Sequence, residues 1–168
     1  MFPHDDFADV VAANNGFAER FAGSQLTGVA KRGLAVVTCM DSRITPLALL
    51  GMEIGDVKIL RNAGARVTDD VLRTLVLGAY LLGVRRVLVM PHTDCRMALQ
   101  DEATIHAEIE REHGVDTRSL EFRTVDDQRG ALAADVASIR AFEFLPRDLI
   151  EGGAIYDVQT GLLELVDC

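Results

Sequence analysis

The sequence lacks both a run of basic residues and a long apolar segment. Its 168 residues include 17 Lys and Arg against 26 Asp and Glu, which gives a formal net charge of −9. Because affinity for nucleic acid depends on clustered basic side chains that neutralise phosphates, this balance argues against a nucleic-acid partner. No apolar stretch reaches the roughly 20 residues that a membrane-spanning helix needs, so we expect no membrane partner.

Signal-peptide features and a disulfide framework are also missing. The first residues contain neither a basic segment nor an apolar core, so we expect a cytoplasmic protein. Cysteine is scarce, with only Cys39, Cys95 and Cys168, and an odd number in such a chain argues against structural disulfides. In this setting a Cys/His cluster indicates a metal site or catalysis first. Cys168 is the last residue, and we interpret it as a free terminal thiol.

Alternating strand and helix patterns predict an α/β protein. Hydrophobic residues make up 49% of the chain and charged residues 26%, which is typical of a globular fold. The length fits a single domain over residues 1–168. We expect a mainly parallel central sheet with flanking helices and an antiparallel C-terminal edge strand. The predicted strands are 34–38, 57–60, 84–90, 153–158 and 162–166, and the predicted helices are 46–50, 71–83, 96–113 and 125–142.

The N-terminal segment carries an unusual amount of apolar surface. Residues 6–22 show a rough helical stripe that Asn14, Asn15 and Gly16 are expected to interrupt. The apolar members of this stripe are Phe7, Val10, Val11, Phe17 and Phe21. Such a helix needs a surface to lie on, which is either the sheet of its own domain or a second subunit.

Soft metal ligands follow two of the predicted strands. Cys39 comes directly after the first strand, and His92 and Cys95 follow the third. The carboxyl ends of parallel strands meet at one edge of a sheet, so we expect these side chains to converge. Two thiolates and one imidazole form a three-ligand zinc set, and catalytic zinc sites leave their fourth position to water or substrate.

A carboxylate and a guanidinium lie close to this ligand set in sequence. Asp41 either orients a zinc-bound water or occupies the fourth position and blocks it. Arg43 can hold that carboxylate with two hydrogen bonds and keep it ionised. An ordinary loop ion pair explains the two residues equally well. Asp94 either supports the site or caps a following helix.

Three motifs together resemble the β-class carbonic anhydrases. They are Cys-x-Asp-x-Arg at 39–43, Arg-Asn-Ala-Gly at 61–64 and His-x-x-Cys at 92–95. The similarity continues through 67–70 and 156–163, and it is strongest for the compact bacterial branch, which is also similar to carbonyl sulfide hydrolase.

The resemblance implies a complete zinc enzyme. Zn²⁺ would be held by Cys39, His92 and Cys95, with Asp41 as a fourth ligand in a closed state. Zinc-bound hydroxide would convert carbon dioxide to bicarbonate and a proton, with Asp41 and Arg43 as the catalytic pair.

The resemblance also implies the surroundings of the zinc. Ala63 and Gly64 would line the substrate pocket, and members of the family are homodimers or dimer-based oligomers. The segment 1–22 would then be a helix that packs across subunits.

Two alternatives and one departure from the family pattern remain. The same zinc site would suit a carbonyl sulfide or carbon disulfide hydrolase, and a non-catalytic zinc- or bicarbonate-binding protein is the third hypothesis. Arg96 stands where the family usually has glycine. Its side chain would narrow the pocket, bind an anion or point to solvent.

Overall fold

A five-stranded sheet forms the centre of the protein in the computed structural model, which describes residues 3–23 and 25–168. The strands are β1 (Leu34–Cys39), β2 (Val57–Asn62), β3 (Arg86–Met90), β4 (Ile150–Tyr156) and β5 (Leu163–Val166). Their order across the sheet is β2-β1-β3-β4-β5. The first four are parallel, and β5 pairs antiparallel to β4. The predicted fold class is therefore confirmed.

Six α-helices accompany the sheet in the described part of the chain. They are α1 (Ala8–Ala18), α2 (Pro46–Leu49), α3 (Asp69–Leu81), α4 (Arg96–Leu99), α5 (Glu102–His113) and α6 (Gln128–Ala141). Short 3₁₀ turns cover Asp5–Phe7 and Ala63–Ala65. No helix of residues 3–23 and 25–168 is long and apolar enough to cross a membrane.

The prediction of one continuous helix over 96–113 is wrong. The chain leaves the helical conformation at Gln100, whose backbone is extended, and α5 starts afresh after Asp101. The Asp101 carboxylate accepts a hydrogen bond from the backbone N–H of Thr104 at 2.7 Å. Aspartate is a strong N-cap, so this local bond starts a new helix inside an otherwise helical pattern.

Helices α3 and α6 pack on one face of the sheet. Leu75 from α3 and Val136 and Ile139 from α6 join Val37 and Val89 of the strands in the main core cluster. On the opposite face a smaller cluster contains Ile44 and Met90 together with the two buried cysteines. The second cluster therefore embeds two of the three predicted metal ligands in apolar surroundings.

Two polar side chains are buried that the sequence pattern placed at the surface. Asp135 on α6 is only 6% exposed and forms an ion pair with Arg66. His106 on α5 is 8% exposed, and its Nδ1 lies 2.8 Å from Thr117 Oγ1. Helical periodicity alone identified neither, because each is buried against a partner from a distant segment.

Helix α1 differs from the expectation in two ways. The residues Asn14, Asn15 and Gly16 do not interrupt it, since it continues to Ala18. None of the eleven residues of α1, all of which the structure describes, is buried. The five apolar side chains of the stripe are between 43% and 57% exposed, so the sheet of its own chain does not cover them. Met1 and Phe2, within the predicted segment 1–22, lie outside the described residues.

Replacing Thr68 with alanine should lower the free energy of unfolding by about 1 kcal/mol, because its side chain caps α3. Its Oγ1 accepts a hydrogen bond from the backbone N–H of Val71 at 3.4 Å. The matched control is Thr45→Ala, since Thr45 precedes α2 but its side chain makes no capping hydrogen bond within the described chain. Urea unfolding followed by circular dichroism measures both, and equal losses would contradict the assigned cap.

Candidate metal centre

Neighbouring strands bring the three predicted ligands together. Cys39 is the last residue of β1, and His92 and Cys95 lie in the turn that follows β3. The two strands pair in parallel register up to Thr38 and Met90, so their carboxyl ends lie side by side. The candidate ligand atoms all lie within 4.8 Å of one another, and the two sulfur atoms are 4.0 Å apart.

The imidazole of His92 has the orientation that a metal ligand requires. Its Nδ1 lies 2.8 Å from the backbone carbonyl oxygen of Thr93, which can only accept, so we assign the proton to Nδ1. Nε2 then carries a lone pair. It is fully buried and has no hydrogen-bond partner among the residues that the structure describes. Buried polar atoms are rarely left unpaired, so an orphaned Nε2 beside two thiols fits a zinc ion.

The two thiols differ in acidity. The hydrogen bond between them is the largest influence, and it holds the pKa of Cys39 well below its usual range while it raises the pKa of Cys95. The backbone N–H of Gly64 further lowers the pKa of Cys39. The shared hydrogen bond therefore favours one thiolate within the pair, and a bound cation would replace the remaining proton.

Arg43 connects the two halves of the site. Its Nε and Nη2 donate to the two carboxylate oxygens of Asp41 at 3.0 and 2.8 Å. Its Nη1 donates to the carboxylate of Asp94 at 2.7 Å. Asp94 is therefore tied to Arg43, whereas the residue at the N-cap of α4 is Cys95. Two segments that are far apart in sequence are thus joined by one guanidinium.

Asp41 lies next to the ligand cluster. One of its carboxylate oxygens is 3.7 Å from Nε2 of His92. Hydrogen bonds from Arg43 are the main reason why the pKa of Asp41 lies well below its usual range. The carboxylate is consequently ionised at any physiological pH and is held by Arg43 at the border of the cluster.

The end of β2 and the turn after it contribute the guanidinium of Arg61 and the backbone of Gly64. Arg61 Nε donates to the carbonyl oxygen of Cys39 at 2.9 Å, and Nη2 donates to that of Asp41 at 2.6 Å. Gly64 has a positive φ of 77°, and a Cβ there would lie 3.2 Å from the Met97 side chain. Gly64 is thus pressed against the site, while Ala63 lines a separate cleft of about 480 Å³.

Arg96 is a surface residue of α4. Its side chain is 60% exposed and forms an ion pair with Glu108 of α5. Among described residues other than glycine, positive φ angles occur at Ala65, Asp94 and Arg123, so the backbone at Arg96 does not require glycine. Of the three outcomes considered for Arg96, the structure favours a side chain that points to solvent.

Two residues that support His92 were missed by the sequence analysis. Gln128 Nε2 donates to the carbonyl oxygen of His92 at 2.9 Å. The hydroxyl of Thr93 accepts a hydrogen bond from the backbone N–H of Val158 at 3.1 Å. Both contacts join segments that are distant in sequence, so no spacing in the chain could have identified them.

Comparison with known proteins identifies relatives of this site. A family model described as carbonic anhydrase matches residues 34–163. The β-carbonic anhydrase 1 of Mycobacterium tuberculosis is 34% identical over 161 residues, which cover 94% of this chain and 96% of the relative. A carbon disulfide hydrolase of Acidithiobacillus thiooxidans is 29% identical over 155 residues, covering 76% of this chain and 70% of that protein. The crystal structure of a carbonic anhydrase from Streptococcus mutans superposes with a TM-score of 0.90 at 35% identity and covers 99% of both chains.

Replacing Arg43 with glutamine should raise the pKa of Asp41 towards the ordinary value of about 3.9, because the hydrogen bonds that favour the carboxylate are lost. Carbon-13 NMR titration of the carboxyl group in metal-free protein measures this shift. The control is Arg73→Gln, which removes an exposed partner of Asp70 instead. An Asp41 titration that is the same in wild type and in Arg43→Gln would show that Arg43 does not control this carboxylate.

Proposed function

Because the chain belongs to the β-class carbonic anhydrase family, we propose that it is a zinc enzyme for the reversible hydration of carbon dioxide to bicarbonate and a proton. The observation that carries this proposal is the buried cluster of Cys39, His92 and Cys95 with its unpartnered Nε2. The ionised pair of Asp41 and Arg43 at the border of the cluster supports it further.

In this proposal Cys39, His92 and Cys95 hold the zinc ion. Bound zinc supplies a Lewis acid that brings the pKa of a coordinated water to about 7 in favourable sites. The carbonyl oxygen of Thr93 keeps the His92 ring in the tautomer that presents Nε2 to the metal. Because both thiols are almost completely buried, bulk water does not compete for the sulfur atoms.

Asp41 is the residue that orients the reacting group. Its position 3.7 Å from Nε2 of His92 would place a carboxylate beside the coordination position that the three ligands leave to water or substrate. There it can accept a hydrogen bond and remove rotational freedom from the nucleophile. Arg43 holds both carboxylate oxygens and restrains Asp41 from entering the fourth position, so the arrangement supports the open state. Release of Arg43 would free Asp41 to become the fourth ligand in a closed state.

The substrate is a small, linear and apolar molecule in this proposal. Gly64 packs closely beside the cluster because it has no side chain, and in this proposal its backbone would line the approach to the metal together with Ala63, although Ala63 also lines the separate cleft. Carbonyl sulfide and carbon disulfide have the same shape as carbon dioxide. The similarity to a carbon disulfide hydrolase keeps that hydrolysis as the second candidate function.

We further propose that residues 1–168 form a single domain that works as a homodimer. The apolar stripe in and around α1 is the supporting observation, because its five side chains are between 43% and 57% exposed. A second subunit would cover them if the segment 1–22 packs across the dimer. Burial of this surface would contribute favourably at roughly 25 cal/mol per Å² of apolar area.

Zinc analysis with stopped-flow hydration of carbon dioxide tests the proposed function. We expect one zinc ion per chain in the wild type and in Cys168→Ser, the matched control, and strongly reduced zinc in Cys39→Ser. Asp41→Asn should keep its zinc but lose about 10²-fold or more in rate, the scale typical of positioned acid–base groups.

Hydrogen sulfide release from carbonyl sulfide and carbon disulfide forms the second arm of this experiment. Release that exceeds carbon dioxide hydration would favour the hydrolase. A zinc-loaded protein that shows neither activity would indicate the non-catalytic alternative. A wild type that binds no zinc when zinc is supplied would refute the proposal altogether.

The proposed dimer is tested by light scattering after size-exclusion chromatography. The double variant Phe17→Ser/Phe21→Ser should dissociate at least tenfold more readily than the wild type, because it removes aromatic surface from the end of α1. Val115→Ser is the control, since Val115 is similarly exposed but lies after α5. A wild-type monomer, or equal dissociation of both variants, would contradict the role of α1.

A further inference from the structure

We propose that the buried ion pair between Arg66 and Asp135 is a positioning element for the metal-binding cluster. This inference rests on the proposed metal site. Arg66 Nε donates to one carboxylate oxygen of Asp135 at 2.7 Å, and Nη2 donates to the other at 3.3 Å. The two side chains are 19% and 9% exposed, so solvent screens their interaction only weakly.

Arg66 restrains the turn that carries Gly64. The turn is closed by Asn62, whose side chain accepts from the backbone N–H of Arg66 at 2.9 Å and donates to its carbonyl oxygen at 2.7 Å. Gly64 and Ala65 inside it both have positive φ angles, of 77° and 60°. This conformation is unfavourable for alanine, so the surroundings must hold it in place. The guanidinium of Arg66 supplies this restraint by tying the turn to α6.

Helix α6 holds the opposite side of the cluster as well. Gln128 and Asp135 are seven positions apart, which places them on the same face of the helix two turns from each other. Gln128 donates to the carbonyl oxygen of His92, and Asp135 accepts from Arg66. Both residues line a void of only about 10 Å³ together with Gly64 and Cys95. The helix is therefore linked both to the turn that carries His92 and Cys95 and to the turn that carries Gly64.

The backbone of Gly64 is what the ion pair positions. Its N–H acts as a hydrogen-bond donor towards the Cys39 sulfur, Gly64 lines the same small void as Cys95, and its close packing against Met97 leaves little freedom to shift. An amide that donates to a ligand sulfur moderates the charge of that sulfur and fixes its direction. Groups that orient metal ligands in this way typically change metal affinity by 10- to 100-fold when they are removed.

If the ion pair between Arg66 and Asp135 only stabilised the fold, its replacement would leave the metal affinity of the folded protein unchanged. Replacing a buried ion pair by apolar residues of similar size is often neutral or stabilising, whereas removing one partner leaves a buried charge unpaired. The double variant Arg66→Met/Asp135→Leu should therefore fold, yet it releases the turn. A change in the metal site without a loss of fold is the signature of positioning.

The experiment compares the wild type, the double variant and Asp135→Asn as full-length proteins. Zinc affinity is measured by competition with a chromophoric chelator, and thiolate-to-metal absorption is recorded after loading with Co²⁺. We expect 10- to 100-fold weaker zinc binding and altered Co²⁺ bands in both variants. Thermal unfolding of metal-free protein checks that the double variant remains folded.

Glu151→Gln is the matched control. It breaks the partly buried ion pair between Arg140 of α6 and Glu151 of β4, which joins α6 to β4 and not to the turns that carry Gly64 and His92. Its zinc affinity and Co²⁺ spectrum should equal those of the wild type.

Unchanged affinity and spectra in the two test variants would overturn the inference, as would failure of both to fold. If the wild type itself binds no metal, the proposed function fails together with this inference. If the wild type binds metal and the variants bind it equally well, only this inference fails.

Discussion

The candidate site depends on the parallel pairing of β1 and β3. Their register brings the end of β1 level with the end of β3, and the buried hydroxyl of Thr38 donates to the carbonyl oxygen of Met90 at 2.8 Å. This contact is made one residue before Cys39. A slip by a single position would reverse the faces to which the side chains point and would separate Cys39 from His92 and Cys95. The strand pairing thus fixes the ligand geometry, and the apolar core fixes the strand pairing.

Negatively charged groups of the cluster are paired with positively charged side chains at the same edge of the sheet. The carboxylates of Asp41 and Asp94 bring negative charge to one edge of the sheet, and the sulfur atoms of Cys39 and Cys95 add to it when they are deprotonated. Two arginines at the same edge offset this negative charge. Arg43 forms ion pairs with the carboxylates, and Arg61 donates hydrogen bonds to backbone carbonyl oxygens. A divalent cation would complete this balance. The electrostatics and the orphaned nitrogen of His92 therefore lead to the same conclusion by independent routes.

Patterns along the chain predict the sheet and the ligand cluster well, because both follow from short-range rules. Apolar runs identify the strands, and the convergence of parallel strand ends brings Cys39, His92 and Cys95 together. The rest depends on contacts between distant segments. From the sequence, Asp135 resembles a solvated helix residue. Its burial depends on the ion pair with Arg66, which lies 69 positions away in a turn. The break before α5 was missed for another reason, since the helical periodicity outweighed the capping preference of Asp101 in the prediction.

The bridge made by Arg43 has a consequence for the way the protein folds. It joins residues 51 positions apart in sequence, and Cys39 meets Cys95 across a separation of 56. Such contacts carry a large loop-closure entropy and form only after β1 and β3 have found each other. Neither half of the site contains three ligands by itself, so an ion cannot template the chain as it does in a zinc finger. The sheet comes first, and the metal centre is a late product of the completed topology.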